Sequence, residues 1–209
     1  MAGAVVWIHG LGDSGDGWRG AFPRLERKGV KFVHPTAPVA PVTVTGDRTT
    51  SWLDLKTWPI DTTEPEGPKG LEESVKIIHD LVAKLEEVEK VPPEKVIIGG
   101  FSQGGTLSVL SGLSYPKRLG GVVSISGWAT YRESLPAKVH EANKELPMFY
   151  SYGTGDPIVH SSLTEMSSKV LQEILGDNVS VMPVRRAMHQ PDGSELAGAD
   201  AFICKQFNV

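Results

Sequence analysis

The chain has a single cysteine, Cys204, among its 209 residues, so no internal disulfide can form and no cysteine-based metal cluster can be built. One free thiol fits a reducing compartment, and a cytoplasmic protein is expected. Clusters of positive charge are also scarce. Lys and Arg total 21 against 25 Asp and Glu, for a net charge of −4, and cations run no longer than a pair, as at Arg27-Lys28 or Arg185-Arg186. That argues against a nucleic-acid backbone as partner. No apolar run approaches the roughly 20 residues that a membrane span requires, and the N-terminal stretch lacks the basic and apolar regions of a secretory signal. The chain is expected to be neither inserted nor exported. Neither His-Glu-x-x-His nor Cys-x-x-Cys occurs, so no metal and no other cofactor is expected.

What is present is the profile of one folded globular domain, or at most two small ones: 40% hydrophobic and 22% charged residues, with 23 glycines and 15 prolines, and a single domain over residues 1–209 is expected. Short β-branched runs alternate with longer amphipathic stretches, the pattern of βαβ units around a mainly parallel central sheet flanked by helices. Strands are predicted at Ala4–Ile8, Val30–Val33, Lys95–Ile98, Gly121–Ile125, Met148–Tyr152 and Val179–Val184. Leu71, Val75, Ile78, Val82 and Leu85 recur at helical spacing, with charges on the opposite face. Further helices are predicted at Trp18–Lys28, Gln103–Ser114, Leu163–Leu175 and Glu195–Gln206. The segment His34–Gly70 breaks this rhythm. It is rich in proline and has no helical period, so it reads as an irregular excursion, either a cover near a site or an ordered surface loop.

The strongest chemical signal is Lys95-Val96-Ile97-Ile98-Gly99-Gly100-Phe101-Ser102-Gln103-Gly104-Gly105, a strand running through Gly-x-Ser-x-Gly into a helix. This is the setting of a nucleophile elbow, in which the serine sits on a strained strand-to-helix turn at the carboxyl edge of a sheet. Ser102 is the candidate nucleophile. The helix dipole behind it and the amide of Gln103 would face a developing oxyanion. A serine nucleophile needs a base, and the base needs a carboxylate to orient it. In this architecture they follow in the order Ser, Asp, His on loops after later strands. Asp156 follows the Met148–Tyr152 strand in Gly155-Asp156-Pro157, and His189 follows the last strand. Taken alone, an Asp before Pro is commonly a turn residue and a loop His a surface one; their order and placement make the case. His160 is too close in sequence to Asp156, His79 and His140 fall in predicted helices, and Ser126 lacks the elbow glycine before it.

The first strand runs into His9-Gly10-Leu11-Gly12-Asp13-Ser14-Gly15, whose glycines spell Gly-x-Gly-x-x-Gly. A dinucleotide site also needs an acidic residue about 20 positions on, where Val33-His34-Pro35 stands instead, and Asp13 would repel a pyrophosphate. The loop is better read as the source of a second oxyanion donor, the amide of Leu11. His9 is then expected to organise the loop by hydrogen bonding.

Together, Trp7-Ile8-His9-Gly10-Leu11-Gly12-Asp13-Ser14-Gly15, His34-Pro35-Thr36-Ala37-Pro38, Ser51-Trp52-Leu53-Asp54, Gly100-Phe101-Ser102-Gln103-Gly104-Gly105 and Gly155-Asp156-Pro157-Ile158-Val159 resemble the acyl-protein thioesterase / lysophospholipase family of small serine hydrolases. The resemblance spans nearly the whole chain. It implies an α/β-hydrolase fold without a separate lid domain, a triad of Ser102, Asp156 and His189, and oxyanion amides at Leu11 and Gln103. It also implies hydrolysis of the thioester of S-acylated proteins, with activity on lysophospholipids or simple esters. The stretch around Trp52 corresponds to one that lines an acyl groove in the family. An acyl tail contributes about 0.8 kcal/mol per buried methylene, so an apolar groove is required. By position, Trp52, Leu53 and Trp128 are its candidates, with Leu11 and Trp58; core packing is the competing role of each Trp.

The chain departs from the family pattern in two places. Ala187-Met188 precedes His189 and Gln190-Pro191 follows it, where the family usually has a glycine or second methionine before and a serine after. Met1-Ala2-Gly3 lacks the acylatable cysteine of many members, so only transient contact with a membrane surface is expected. A monomer or weak homodimer is expected. The alternatives are a short-chain carboxylesterase and a catalytically inactive interaction protein on the same scaffold.

Overall fold

The computed structural model describes residues 1–209. Six strands form one sheet: β1 (Gly3–Ile8), β2 (Val30–Val33), β5 (Val96–Phe101), β6 (Gly121–Ile125), β7 (Met148–Gly153) and β8 (Val179–Val184). All pairs are parallel, and the order across the sheet is β2-β1-β5-β6-β7-β8. The chain therefore grows outward from β1 in one direction and from β5 in the other. The gap between the carboxyl ends of β1 and β5 is the switch point at which open parallel sheets form their crevice.

The central strands β1, β5, β6 and β7 are buried on both faces, as parallel sheets covered by helices require, while the edge strands β2 and β8 are only partly covered. Ala4, Val6 and Ile8 of β1 face one core layer with Val96 and Ile98 of β5 and Met148 and Tyr150 of β7. That layer is closed by α2 (Leu71–Glu87), α3 (Gln103–Ser114) and α5 (Ser161–Leu175), which contribute Val75, Ile78, Val82, Leu107, Leu110 and Leu171. Val5, Trp7, Ile97, Val123 and Phe149 point the other way, against α1 (Pro23–Arg27) and α6 (Gly193–Phe207) through Leu25, Ala199, Ile203 and Phe207.

Three local expectations differ from the structure. The helix predicted at Trp18–Lys28 is a 3₁₀ turn at Gly15–Trp18 followed by the short α1. Gly20 lies between them at φ 76°, and Pro23, which has no amide to donate, opens α1 at its first turn. Within the 34–70 excursion, β3 (Val39–Pro41) and β4 (Arg48–Thr50) form a small antiparallel hairpin. His140 is not helical: it caps a 3₁₀ turn at Glu141–Asn143, its Nδ1 accepting the Ala142 amide at 3.2 Å. No helix is long and apolar enough to cross a membrane.

Candidate active site

Ser102 stands between the end of β5 and the first turn of α3 at φ 57° and ψ −121°. A non-glycine residue adopts that backbone only when its surroundings force it. They do: its amide donates to the Ile125 carbonyl at 2.9 Å, and its carbonyl accepts the Thr106 amide at 3.0 Å. The elbow also needs α3 pressed against β1, which is why residue 104 has no side chain. A Cβ there would lie 2.1 Å from the Ile8 carbonyl oxygen.

Two later loops bring their side chains to this turn. His189 Nε2 lies 2.9 Å from Ser102 Oγ, and His189 Nδ1 lies 2.7 Å from Asp156 Oδ2. The other carboxylate oxygen, Oδ1, accepts the amides of Ile158 at 2.8 Å and Val159 at 3.0 Å. Asp156 is thus held at both ends and is buried, with 6% of its surface exposed. The loops that carry the two residues are stitched together: Thr154 donates its amide to Val184, Gly155 to Ala187, and the Arg186 amide donates to Thr154 Oγ1 at 3.0 Å. Around His189, the Gln190 amide donates to the Met188 carbonyl at 2.8 Å. Beyond it, Asp192 and Glu195 form a capping box at the start of α6.

The loop after β1 closes the other side. The His9 Nε2 accepts the Ala37 amide at 3.0 Å, so its proton stands on Nδ1, which donates to the Gly10 carbonyl at 2.6 Å. Burial pushes the His9 imidazole below its ordinary range, which keeps it neutral. Asp13, which told against a pyrophosphate, shapes the loop: it accepts the Ser14 amide at 2.7 Å and the Trp18 indole N–H at 3.0 Å. The Leu11 amide and the Gln103 amide donate to no atom of the chain. Free backbone donors beside a buried site call for an explanation, and an oxyanion site supplies one.

A cavity of about 200 Å³ opens on Ser102 and His189, walled by Leu11, Leu55, Trp58, Ile60, Phe101 and Ile158. Of the residues expected to bind an acyl chain, Leu11 and Trp58 stand in this wall. Trp52, Leu53 and Trp128 do not. They are 1%, 2% and 1% exposed and belong to the core, and Trp52 and Leu53 border a different cavity, of about 500 Å³, beside β3 and α2. Leu55, Ile60, Phe101 and Ile158 were not singled out from the sequence. For Phe101 and Ile158, adjacency to Ser102 and Asp156 was the available signal. No group of three or more His, Cys, Asp or Glu side chains is gathered for a metal ion.

A model of the family described as phospholipase/carboxylesterase matches residues 1–207. Acyl-protein thioesterase 1 of Debaryomyces hansenii is 33% identical over 212 residues, covering 96% of this chain and 89% of that protein. The protein of the same name from Eremothecium gossypii is 40% identical over 167 residues, covering 78% and 69%. Among solved structures, Arabidopsis thaliana SOBER1 superposes with a TM-score of 0.90 at 31% identity, covering 98% of each chain.

Proposed function

The chain belongs to the phospholipase/carboxylesterase family, and from that premise we propose that it is a serine hydrolase that cleaves the thioester between a fatty acyl group and a protein cysteine. The observation that carries this reading is the continuous hydrogen-bonded chain from Ser102 Oγ through His189 to Asp156, with Ser102 and His189 lining a mostly apolar cavity. The names of its relatives, acyl-protein thioesterase 1, support the substrate class.

In this mechanism Ser102 Oγ attacks the acyl carbonyl while His189 Nε2 takes the hydroxyl proton. The amides of Leu11 and Gln103 stabilise the tetrahedral oxyanion, and Asp156 stabilises the imidazolium. Collapse expels the cysteine thiolate, which receives the proton from His189 and leaves an acyl-serine. Water then attacks this ester with His189 again as base, releasing the fatty acid and restoring the serine. The substrates are S-acylated proteins, with lysophospholipids and simple esters following the same chemistry. The enzyme works in the cytoplasm, touching membrane surfaces only transiently.

One observation favours a second reading. The cavity, about 200 Å³, lies below the roughly 300–1,000 Å³ of most ligand pockets, which suits a carboxylesterase of short acyl groups. Turnover of acetyl, octanoyl and palmitoyl thioesters of one cysteine peptide separates the two. A rate that holds or rises toward the long chains supports the protein thioesterase, and a sharp acetyl optimum overturns it in favour of the short-chain enzyme.

A further inference from the structure

Trp52 is buried, yet each of its polar groups has a partner. Its indole Nε1 donates to the His9 carbonyl at 3.0 Å, its amide donates to Gln103 Oε1 at 3.0 Å, and its carbonyl accepts the Ser74 hydroxyl at 2.5 Å. The Gln103 side chain is wholly committed to the same segment: Nε2 donates to the Leu53 carbonyl at 2.8 Å and to Ser51 Oγ at 3.0 Å. The His9 ring also packs against the Trp52 indole, with centroids 5.3 Å apart. So one residue joins the two places from which the unpaired amides come: its backbone amide is held by the Gln103 side chain, and its indole reaches the His9 carbonyl at the start of the loop that carries Leu11.

We propose that Trp52 is a positioning residue of the oxyanion hole, held by the Gln103 side chain and bracing the His9 carbonyl so that the Leu11 amide stands at a fixed place relative to the Gln103 amide. The proposal rests on the reading of Ser102 as nucleophile with those two amides as oxyanion donors. Its physical need is clear from the loop. Leu11 lies between Gly10 and Gly12, and Gly12 sits at φ 76°, so the local chain has little stiffness of its own. Oxyanion donors act only if fixed in advance, and a displacement near 1 Å costs about 10²-fold in rate. The brace acts on the transition state and not on acyl binding, because Trp52 does not reach the cavity wall.

The test is Trp52→Phe, which removes the indole N–H and keeps an apolar ring in place. With p-nitrophenyl acetate as substrate, kcat is expected to fall about ten- to a hundredfold with KM unchanged, at a temperature well below the unfolding midpoint of the variant. A second variant, Gln103→Glu, keeps the acceptor for the Trp52 amide but cannot donate to Leu53 when ionised, so its kcat deficit grows as pH rises. If the two act through one brace, the double variant loses no more than the worse single one. An unchanged kcat in Trp52→Phe, a raised KM alone, fully additive losses, or a Gln103→Glu deficit that does not depend on pH overturns the proposal. Failure of the underlying reading looks different: wild-type protein would itself show no turnover dependent on Ser102.

Discussion

The amide of Ile60 donates to the carbonyl of Ile158 at 2.7 Å, and the Ile60 carbonyl accepts the His160 amide at 2.9 Å. By these two bonds the 34–70 excursion is fastened to the loop that carries Asp156, so a wall of the cavity that opens on Ser102 and the carboxylate bonded to His189 are held by one piece of structure. Ile60 is 1% exposed and part of that wall. Replacing it by Ala should lengthen the cavity, shifting the ratio of octanoyl to acetyl thioester turnover upward, and should lower stability by about 2–5 kcal/mol. An unchanged chain-length profile in a folded variant would remove Ile60 from the acyl wall.

Asp156→Asn tests the orienting carboxylate without emptying the site. The Asn carbonyl oxygen can still take the Ile158 and Val159 amides, so the loop should hold, but its NH₂ would face His189 Nδ1 and favour the wrong tautomer. A fall in kcat of about 10⁴-fold with little change in unfolding temperature is expected. Retention of most of the activity would show that His189 is oriented by something other than Asp156.

Gly104→Ala should be far more damaging than an exposed Gly→Ala change. The added Cβ would meet the Ile8 carbonyl oxygen at 2.1 Å, a backbone atom of the strand with no side-chain freedom to move aside. Either α3 moves off β1 or the elbow distorts, so stability should fall by about 3 kcal/mol or more and turnover should fall with it. Chemical denaturation and steady-state kinetics on the same preparation would check both effects.

Acid pH should weaken the fold. Burial lowers the imidazoles of His9, His79 and His34 below the ordinary value of 6.5. Below 6.5 the unfolded chain therefore binds protons that the folded chain does not, and the stability these groups contribute above that pH is lost as pH falls through their lowered values. Glu195 acts in the opposite sense: burial raises its carboxyl, so its contribution is complete below its ordinary value and fades as pH rises. His79 lies outside the active site, with Nε2 2.9 Å from the Ser111 carbonyl. Urea unfolding at about pH 7.5 and about pH 5.5 should show a smaller loss in His79→Gln than in wild type; equal losses would contradict a buried neutral imidazole there.

What could be read in advance follows a physical division. Val96 to Ser114 was legible because a β-branched run, a serine flanked by glycines and a helical run are each local patterns, and together they admit one geometry. That Asp156 and His189 would come to Ser102 was legible through their places after strands. The wall of the cavity beside Ser102 was not. Ile60 enters it only through bonds to Ile158 and His160 that join residues far apart in sequence. Trp52 was expected in the groove, yet an irregular segment has no period to tell which way a side chain points. Hydrogen bonds from its amide and indole turn it into the core instead. The β3–β4 hairpin, three residues a strand, is too short to show an alternating pattern.

Ser102 as the nucleophile is tested most directly by intact-mass and peptide mass spectrometry after reaction with a fluorophosphonate. One adduct is expected, on the peptide containing Ser102, slowed greatly in His189→Ala and absent in Ser102→Ala. No adduct on wild-type protein, or an adduct that persists in Ser102→Ala, would contradict it.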